Sequence, residues 1–498
     1  MTETRRYCII TFGCQMNVYD SGRLASSLEE RGWEEAPSRE EADFVFLNTC
    51  SVREKAVQRV VARLRELAPL KRRRPGTVIG VGGCAAEQEG LEFVRLAPAV
   101  DIVAGPARLA EIPAALDAFS PGDPPRVLVG DAPAEAPPDP GGASPAGAAG
   151  AGPEPPGQPS RPRRRRRRGP LILPPLGEEG PAPLSAFLTV MEGCDNFCAY
   201  CVVPGLRGPE RSRPPEDVLA EARSLVSRGA REITLLGQNV NSYRPAGAPA
   251  GERGGRAFVR LLADAAAIPG LWRLRFTTSH PKDFPPELPR LMAGSPVLCP
   301  HVHLPLQAGS DRVLGLMGRG YTAAGFLAIL EGLRREVPGV AVTTDIIAGF
   351  PGETEEDFRE TLRVLGIASF DSAFSFRYSD RPGTRALSMP GKIPDAVKAR
   401  RLSEIIALQR AISLRVNRAL EGIVQEVLVA GFGREPGQVS GRTGTNKIVN
   451  FPGDPGLVGS LARVRIVGSG PVSLRGGPLS ASPVPSQGDG LAAAGSAV

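Results

Sequence analysis

Apolar and polar positions alternate in blocks along most of this chain. In the first 120 residues, continuous apolar runs at 7–12, 44–47 and 78–81 read as buried strands, and a run at 100–104 extends the series. Between them, 21–31 and 52–67 carry apolar residues at helical spacing. Strand and helix in turn predict a small parallel sheet with helices on its faces.

The pattern breaks at about residue 120. As far as 183 the composition turns to Pro, Gly and Ala with an arginine run inside it, and such a segment has too little apolar surface to offset its ordering entropy. A disordered linker is expected over 121–183. Alternation resumes at 186, with strand candidates at 187–190, 232–236, 273–277, 302–304, 342–347 and 373–378 and helical stretches between them, among them 215–227, 258–267 and 354–364. Six such units are too few for a closed eight-fold barrel. A long helical pattern at 394–420 carries Lys398, Arg400, Arg401, Arg410, Arg415 and Arg418. From 422 the texture changes to short strands with glycine turns, which suggests a small antiparallel barrel. The tail from 469 again reads as disordered. The expected divisions are therefore 1–120, 121–183, 184–415, 416–468 and 469–498.

Charge changes this picture little. The formal net charge is +7, but Arg161 and the run 163–168 supply seven positive charges, so the rest of the chain is balanced. A basic field over the whole molecule is absent, and any RNA site on the folded part has to be a local patch. No apolar stretch reaches the roughly 18 residues that suggest a membrane span, and the first residues make a poor secretory signal. Eight cysteines in 498 residues are too few for a disulfide scaffold. A reducing, cytoplasmic setting is expected.

The cysteines carry the candidate chemistry. Cys14, Cys50 and Cys84 each follow one of the first three strands, 36 and 34 residues apart. In open parallel sheets, ligands gather beyond the carboxyl ends of strands, so three strand-end cysteines can converge. Cys194, Cys198 and Cys201 share one loop with the spacing C-x3-C-x2-C and have no fourth cysteine nearby. Three ligands are too few for a closed structural zinc site. A four-iron, four-sulfur cluster held by three thiolates keeps one iron open to another ligand. A zinc knuckle or buried thiols remain the alternatives on spacing alone. His280, His301 and His303 have no metal-binding spacing, although the last two would share one face of a strand.

The run 193–213, "GCDNFCAYCVVPGLRGPERSR", resembles the methylthiotransferase branch of the radical S-adenosylmethionine (SAM) superfamily. "TFGCQMN" (11–17), "LNTCSVREKA" (47–56) and "GGCAAE" (82–87) resemble the three motifs of that branch's N-terminal domain, and the strands after 422 resemble its TRAM domain, an RNA-binding barrel. The resemblance implies an α/β chain with a small Rossmann-like parallel-sheet domain, a partial (β/α)6 radical SAM barrel and a C-terminal TRAM-like β-barrel. It implies two 4Fe-4S clusters, a SAM-binding one on Cys194, Cys198 and Cys201 and an auxiliary one on Cys14, Cys50 and Cys84. The open iron would take SAM, and one electron would cleave it to methionine and a 5'-deoxyadenosyl radical.

The segments "LLGQNVNSY" (235–243), "HLPLQAGSD" (303–311) and "DIIAGFPGETEEDF" (345–358) resemble family motifs around the SAM and substrate pocket, which makes Gln238, Asn239 and Gln307 candidate pocket residues. Gly349 and Gly352 would let backbone approach a ligand closely. Cys8 and Cys299 match nothing and are expected to be structural. Together with "FRYSDRPGTRA" (376–386), the N-terminal motifs most resemble the tRNA branch that acts on isopentenyladenosine beside the anticodon. The partners so implied are tRNA, a reducing electron donor and a sulfur donor, with no membrane. Threonylcarbamoyladenosine or a ribosomal-protein aspartate would be the alternative substrate; a zinc-containing RNA-binding protein is the alternative of another class.

Overall fold

The computed structural model describes residues 4–50, 56–130, 182–248 and 255–478. Six strands form the first sheet: β1 (Arg6–Phe12), β2 (Glu34–Glu35), β3 (Phe44–Thr49), β4 (Val78–Gly83), β5 (Ile102–Ala104) and β6 (Arg126–Leu128), in the order β2-β1-β3-β4-β5-β6. Every pairing is parallel. The sheet is apolar on both faces because successive side chains alternate. Val45 and Leu47 point into one core with Val60, Leu64 and Phe93, while Phe44 and Phe46 point into the other with Leu24, Leu28 and Trp33. The helices α1 (Gln15–Glu29), α2 (Ala56–Arg73) and α3 (Cys84–Glu89) follow β1, β3 and β4.

Strand β6 corrects the expected linker. Residues 126–128 pair with β5 in register Ile102↔Arg126 and complete the sheet. The rest of that segment, 131–181 with its arginine run, lies outside the described residues, as does the start of the helix expected from 52.

In the central domain, β7 (Ser185–Thr189) is followed by a short antiparallel pair, β8 (Met191–Glu192) and β9 (Arg211–Ser212), which clasps the base of the cysteine loop. Then come β10 (Glu232–Leu236), β11 (Arg273–Thr277), β12 (His301–His303), β13 (Ala341–Ala348) and β14 (Ser372–Arg377). They form two three-stranded parallel sheets, β7-β10-β11 and β12-β13-β14. A bridge between Leu274 and Leu298, and the Cys299 N–H donating to the Leu274 carbonyl at 3.0 Å, join them into one open series. One core runs beneath both sheets, and it includes Met16 and Tyr19 from α1. The two domains are packed as one body along that helix.

The long basic helix, Asp395–Arg418, lies along β14. The charges of its first half are paired: Arg401 reaches Glu353 at 2.6 Å and Arg400 reaches Glu355 at 2.8 Å, while Arg410, Arg415 and Arg418 are exposed. Beyond it, β15 (Val424–Phe432), β16 (Gln438–Thr443), β17 (Ile448–Pro452), β18 (Leu461–Ser469) and β19 (Ser473–Pro478) close a small barrel. Strand β19 corrects the expected tail: 473–478 pairs with both β17 and β18 and completes the closure. The tail from 479 lies outside the described residues.

Candidate active site

The first cysteine set is built on the ends of three adjacent strands. Cys14 caps α1, and its backbone N–H and thiol both donate to Asn17 Oδ1, at 3.2 and 3.3 Å. Asn17 is fully buried and donates through Nδ2 to Asn48 Oδ1 and to the Thr49 carbonyl, at 3.0 and 3.2 Å. Asn48 returns a bond from Nδ2 to the Asn17 carbonyl at 2.9 Å. Thr49 Oγ1 then donates to the Gly82 carbonyl at 2.6 Å. This chain of bonds ties the turn carrying Cys14 to the strand end before Cys50 and to the strand leading into Cys84. A hydrogen bond with Cys50, working against burial, pulls the Cys14 thiol down to about 6. Burial pushes the Cys84 thiol up, and the Arg207 guanidinium beside it opposes the shift. The three strand-end cysteines therefore come together.

The second set sits on the loop between β8 and β9. Cys194 N–H donates to the Gly208 carbonyl at 3.2 Å, Asn196 N–H donates to Cys194 Sγ at 3.4 Å, and Cys201 N–H donates to the Cys198 carbonyl at 3.0 Å. Arg319 Nη1 donates to Cys198 Sγ at 3.3 Å. Burial raises the Cys194 thiol to about 11 and the Cys201 thiol to about 12, and the neighbouring Cys198 pushes both the same way. Apolar surroundings of this kind favour thiolates only when a metal takes their charge.

A glycine precedes Cys84 and Cys194 alike, and each is held where no side chain fits. Gly83 has φ +91° and a Cβ there would lie 2.3 Å from the Thr49 carbonyl oxygen; Gly193 has φ +76° and its Cβ would lie 2.0 Å from the Pro209 carbonyl oxygen. Close backbone packing thus aims both cysteines.

Arg207 links the loop of the second set to Cys84 of the first. It follows the short helix Val203–Leu206, six residues after Cys201, and that helix packs on α3, which begins at Cys84. Its guanidinium is buried, donates to Asp20 Oδ2 at 2.8 Å, stands 3.9 Å from Glu192 and hydrogen-bonds Cys84. The loop that carries the second cysteine set thus touches the first set, in the other domain, through Arg207.

Around them, the strand ends of the central domain present polar atoms with no protein partner among the described residues: Gln238 Oε1, Asn239 Oδ1, both amide atoms of Asn241, His280 Nε2 and Gln307 Oε1. Asn239, Asn241, His280 and Gln307 are buried. Buried polar atoms without partners are costly unless a ligand supplies them. These atoms, acceptors for the most part with the one amide donor of Asn241, therefore fit a polar, donor-rich ligand such as SAM beside an iron–sulfur cluster. Among the described residues no three Cys, His, Asp or Glu side chains converge as the ligands of a single ion do. In a four-iron cluster each thiolate holds its own iron, so the donors stand further apart.

Other expectations resolve differently. Gly349 approaches a side chain rather than a ligand: a Cβ on it would lie 2.3 Å from Lys398 Cγ. Gly352 N–H donates to the Gly391 carbonyl at 2.8 Å. His301 and His303 share Thr343 Oγ1, at 3.2 and 3.0 Å, and burial drives His301 down to about 3. Cys8 packs against the sheet core and Cys299 is buried, both away from the two sets. Asn17, Asn48, Arg207 and Arg319 escaped the reading of the sequence; all but Arg319 stood in plain view, inside the quoted motifs.

Comparison with known proteins accounts for this arrangement. Uncharacterized protein family UPF0004 matches residues 6–105, the radical SAM superfamily matches 188–365 and the TRAM domain matches 418–479. The tRNA-2-methylthio-N(6)-dimethylallyladenosine synthase of Moorella thermoacetica is 43% identical over 472 residues, which cover 94% of this chain and 97% of that protein. The protein of the same name from Carboxydothermus hydrogenoformans is 43% identical over 468 residues, covering 93% and 96%. The chain belongs to this synthase family. Among solved structures, the radical SAM methyltransferase TsrM from Kitasatospora setae, with cobalamin and a [4Fe-4S] cluster bound, aligns with a TM-score of 0.51 at 17% identity. That alignment covers 88% of this chain and 80% of TsrM and speaks to the fold alone. Among the described residues no helix is long and apolar enough to cross a membrane.

Proposed function

We propose that this chain is a radical SAM tRNA methylthiotransferase that converts isopentenyladenosine beside the anticodon to its 2-methylthio derivative. The observation that carries the reading is the contact of Arg207, on the loop of Cys194, Cys198 and Cys201, with Cys84 of the other set, in a chain of this synthase family. Cys194, Cys198 and Cys201 would hold the SAM-binding cluster, and Cys14, Cys50 and Cys84 the auxiliary one. When bound, these groups supply one-electron cleavage of SAM, sulfur delivery and, from a second SAM, the methyl group; an aromatic C–H of such low acidity is beyond an ordinary base.

The chain's own residues do the rest. The Asn17–Asn48 pair holds the first loops in register. The unpartnered amide oxygens of Asn239 and Gln307 and the amide of Asn241 orient a polar ligand at the strand ends. Cys84, Cys194 and Cys198 are buried, whereas Cys14 is exposed and is the side from which a substrate or donor can reach the first set. The C-terminal barrel would grip the anticodon stem-loop, whose unstacked base is the form in which single-stranded RNA is usually read. An electron donor and a sulfur donor complete the partners.

The test is anaerobic turnover with reductant, SAM and prenylated anticodon stem-loop RNA, read by mass spectrometry of the digested RNA. A methylthio group on the prenylated adenosine is the expected product. Modification of a threonylcarbamoyl stem-loop alone would overturn the substrate assignment. A colourless protein with stoichiometric zinc after anaerobic reconstitution would overturn the enzyme assignment.

A further inference from the structure

Six arginines are buried among the described residues: Arg207, Arg213, Arg273, Arg275, Arg319 and Arg401. A buried guanidinium needs a compensating negative charge, since its desolvation is otherwise uncompensated. Five have one. Arg207 meets Asp20, Arg213 meets Glu221, Arg273 meets Glu426, Arg275 meets Glu232 and Arg401 meets Glu353, all within 3.3 Å. Arg319, 5% exposed, has no carboxylate partner among the described residues.

Its contacts are instead neutral but for one. Nη2 donates to the Pro305 carbonyl at 3.0 Å, Nε donates to the Tyr321 hydroxyl at 3.0 Å, and Nη1 donates to Cys198 Sγ at 3.3 Å. The neighbouring Tyr321 hydroxyl is itself committed to the Pro305 and Leu306 carbonyls, so it does not shed a proton to balance the charge. Arginine cannot lose its own proton in a protein. Among the described residues, the sulfur of Cys198 is the one hydrogen-bond partner of Arg319 that can carry negative charge.

We propose that Arg319 is the fixed counter-charge of the iron–sulfur cluster on Cys194, Cys198 and Cys201 and raises its reduction potential. The inference rests on the reading that this loop carries a cluster. Reduction takes one electron from an external low-potential reductant and makes or breaks no bond, so the cluster with its thiolates gains one unit of negative charge. A cation held against a ligand sulfur in a buried site favours that reduced state. Arg319 acts through Cys198 and is a positioning residue; it is held flat and immobile by the Pro305 carbonyl and the Tyr321 ring, whose centroid lies 5.3 Å from its guanidinium carbon. The other cysteine set differs, because Arg207 beside Cys84 is already balanced by Asp20.

The experiment compares wild type, R319Q, R319K and Y321F as anaerobically reconstituted full-length protein. Iron and sulfide are counted, and the cluster whose electron paramagnetic resonance spectrum changes on adding SAM is titrated potentiometrically. R319Q is expected to lower the midpoint so that the reduced fraction falls at least tenfold at fixed potential, about 59 mV for a one-electron couple. R319K should recover most of that shift, and Y321F, which keeps the cation, should move the midpoint less than R319Q. Loss of iron from R319Q with retention in R319K supports the same conclusion. An unchanged midpoint in fully loaded R319Q, or iron lost equally from R319Q and R319K, overturns it. A wild type with no SAM-responsive signal overturns the underlying cluster reading instead.

Discussion

The hydroxyl of Tyr19 donates to the carboxylate of Glu221, 3.1 Å away, and so ties the helix that begins after Cys14 to the helix Pro215–Ser227 of the central domain. Arg213 completes the joint. It pairs with Glu221 at 2.7 Å, donates to the Tyr19 hydroxyl at 3.2 Å and to the Thr189 carbonyl at 2.9 Å, and all three side chains are buried. This joint at Tyr19 and Arg207 at Asp20 fasten α1 to the central domain at two consecutive residues.

Removing Glu221 should therefore do more than delete a contact. E221A leaves Arg213 buried without a counter-charge, a loss of about 3–5 kcal/mol, whereas Y19F removes a single hydrogen bond at about 1 kcal/mol. Urea denaturation of the anaerobic protein, followed by tryptophan fluorescence, reads both. If E221A unfolds at the wild-type midpoint, the joint does not hold the domains together.

The glycines ahead of the cysteines offer a selective disruption. G83A would strain a left-handed backbone by about 1–2 kcal/mol and collide with the Thr49 carbonyl, while G193A would collide with that of Pro209. Each variant should lose about four irons per chain, from its own set alone. G193A should abolish SAM cleavage, and G83A should leave SAM cleavage measurable while ending methylthio transfer. Equal iron loss from both sets in either variant would count against two separate centres.

What the sequence made legible follows from which forces are local. The strands before Cys14, Cys50 and Cys84 are continuous apolar runs, so both they and the cysteines at their ends could be read directly. Residues 126–128 and 473–478 could not: three half-buried residues amid prolines, and a strand with two glycines, join sheets whose other members are far along the chain. Charges were the other blind spot. Arg401 looks like surface on a basic helix, yet its partner Glu353 is brought to it only by the fold. Arg319 stands between Gly318 and Gly320, both with φ +71°, and nothing local in "MGRGY" says that the side chain turns inward to a cysteine. Asn17 and Asn48 did carry a signal, at three residues after one cysteine and two before the next, but only the paired geometry gives it meaning.

Acid should loosen one end of the central domain first. Burial pushes the Asp357 carboxyl up, but hydrogen bonds from Arg312, Ser310 and Thr354 outweigh it and hold the group below the usual carboxylate range. Ser310 Oγ donates at 2.6 Å and the Thr354 N–H at 2.8 Å. A carboxylate whose native pKa lies below its unfolded value, near 3.9, stabilises the fold at every pH above that value. The contribution is lost as pH falls through the native value. D357N should thus be less stable than wild type at pH 7, and the gap should narrow steadily below about pH 4. A gap that stays constant down to pH 2 would mean that the carboxylate charge plays no part.

The seat of the C-terminal barrel makes the last prediction. Arg275 pairs with Glu232 at 2.8 Å and donates to the Thr443 and Gly444 carbonyls at 2.8 and 2.9 Å, while Arg273 donates to the Arg442 carbonyl at 2.6 Å. Two arginines of β11 thus hold the end of β16 and the turn after it against the central domain. The cysteine loops are at the opposite, carboxyl ends of the strands, so damage here should spare them. In R273A/R275A the barrel loses its fixed orientation, and the KM for the stem-loop should rise about tenfold, roughly 1.4 kcal/mol of lost binding. Iron content and SAM cleavage without RNA should stay at wild-type levels. Limited proteolysis between 418 and 424 should quicken in step, since that junction would no longer be held at both sides. A variant that cleaves faster but binds RNA as tightly as wild type would show that the barrel's attachment, though real, has no bearing on how the substrate is held.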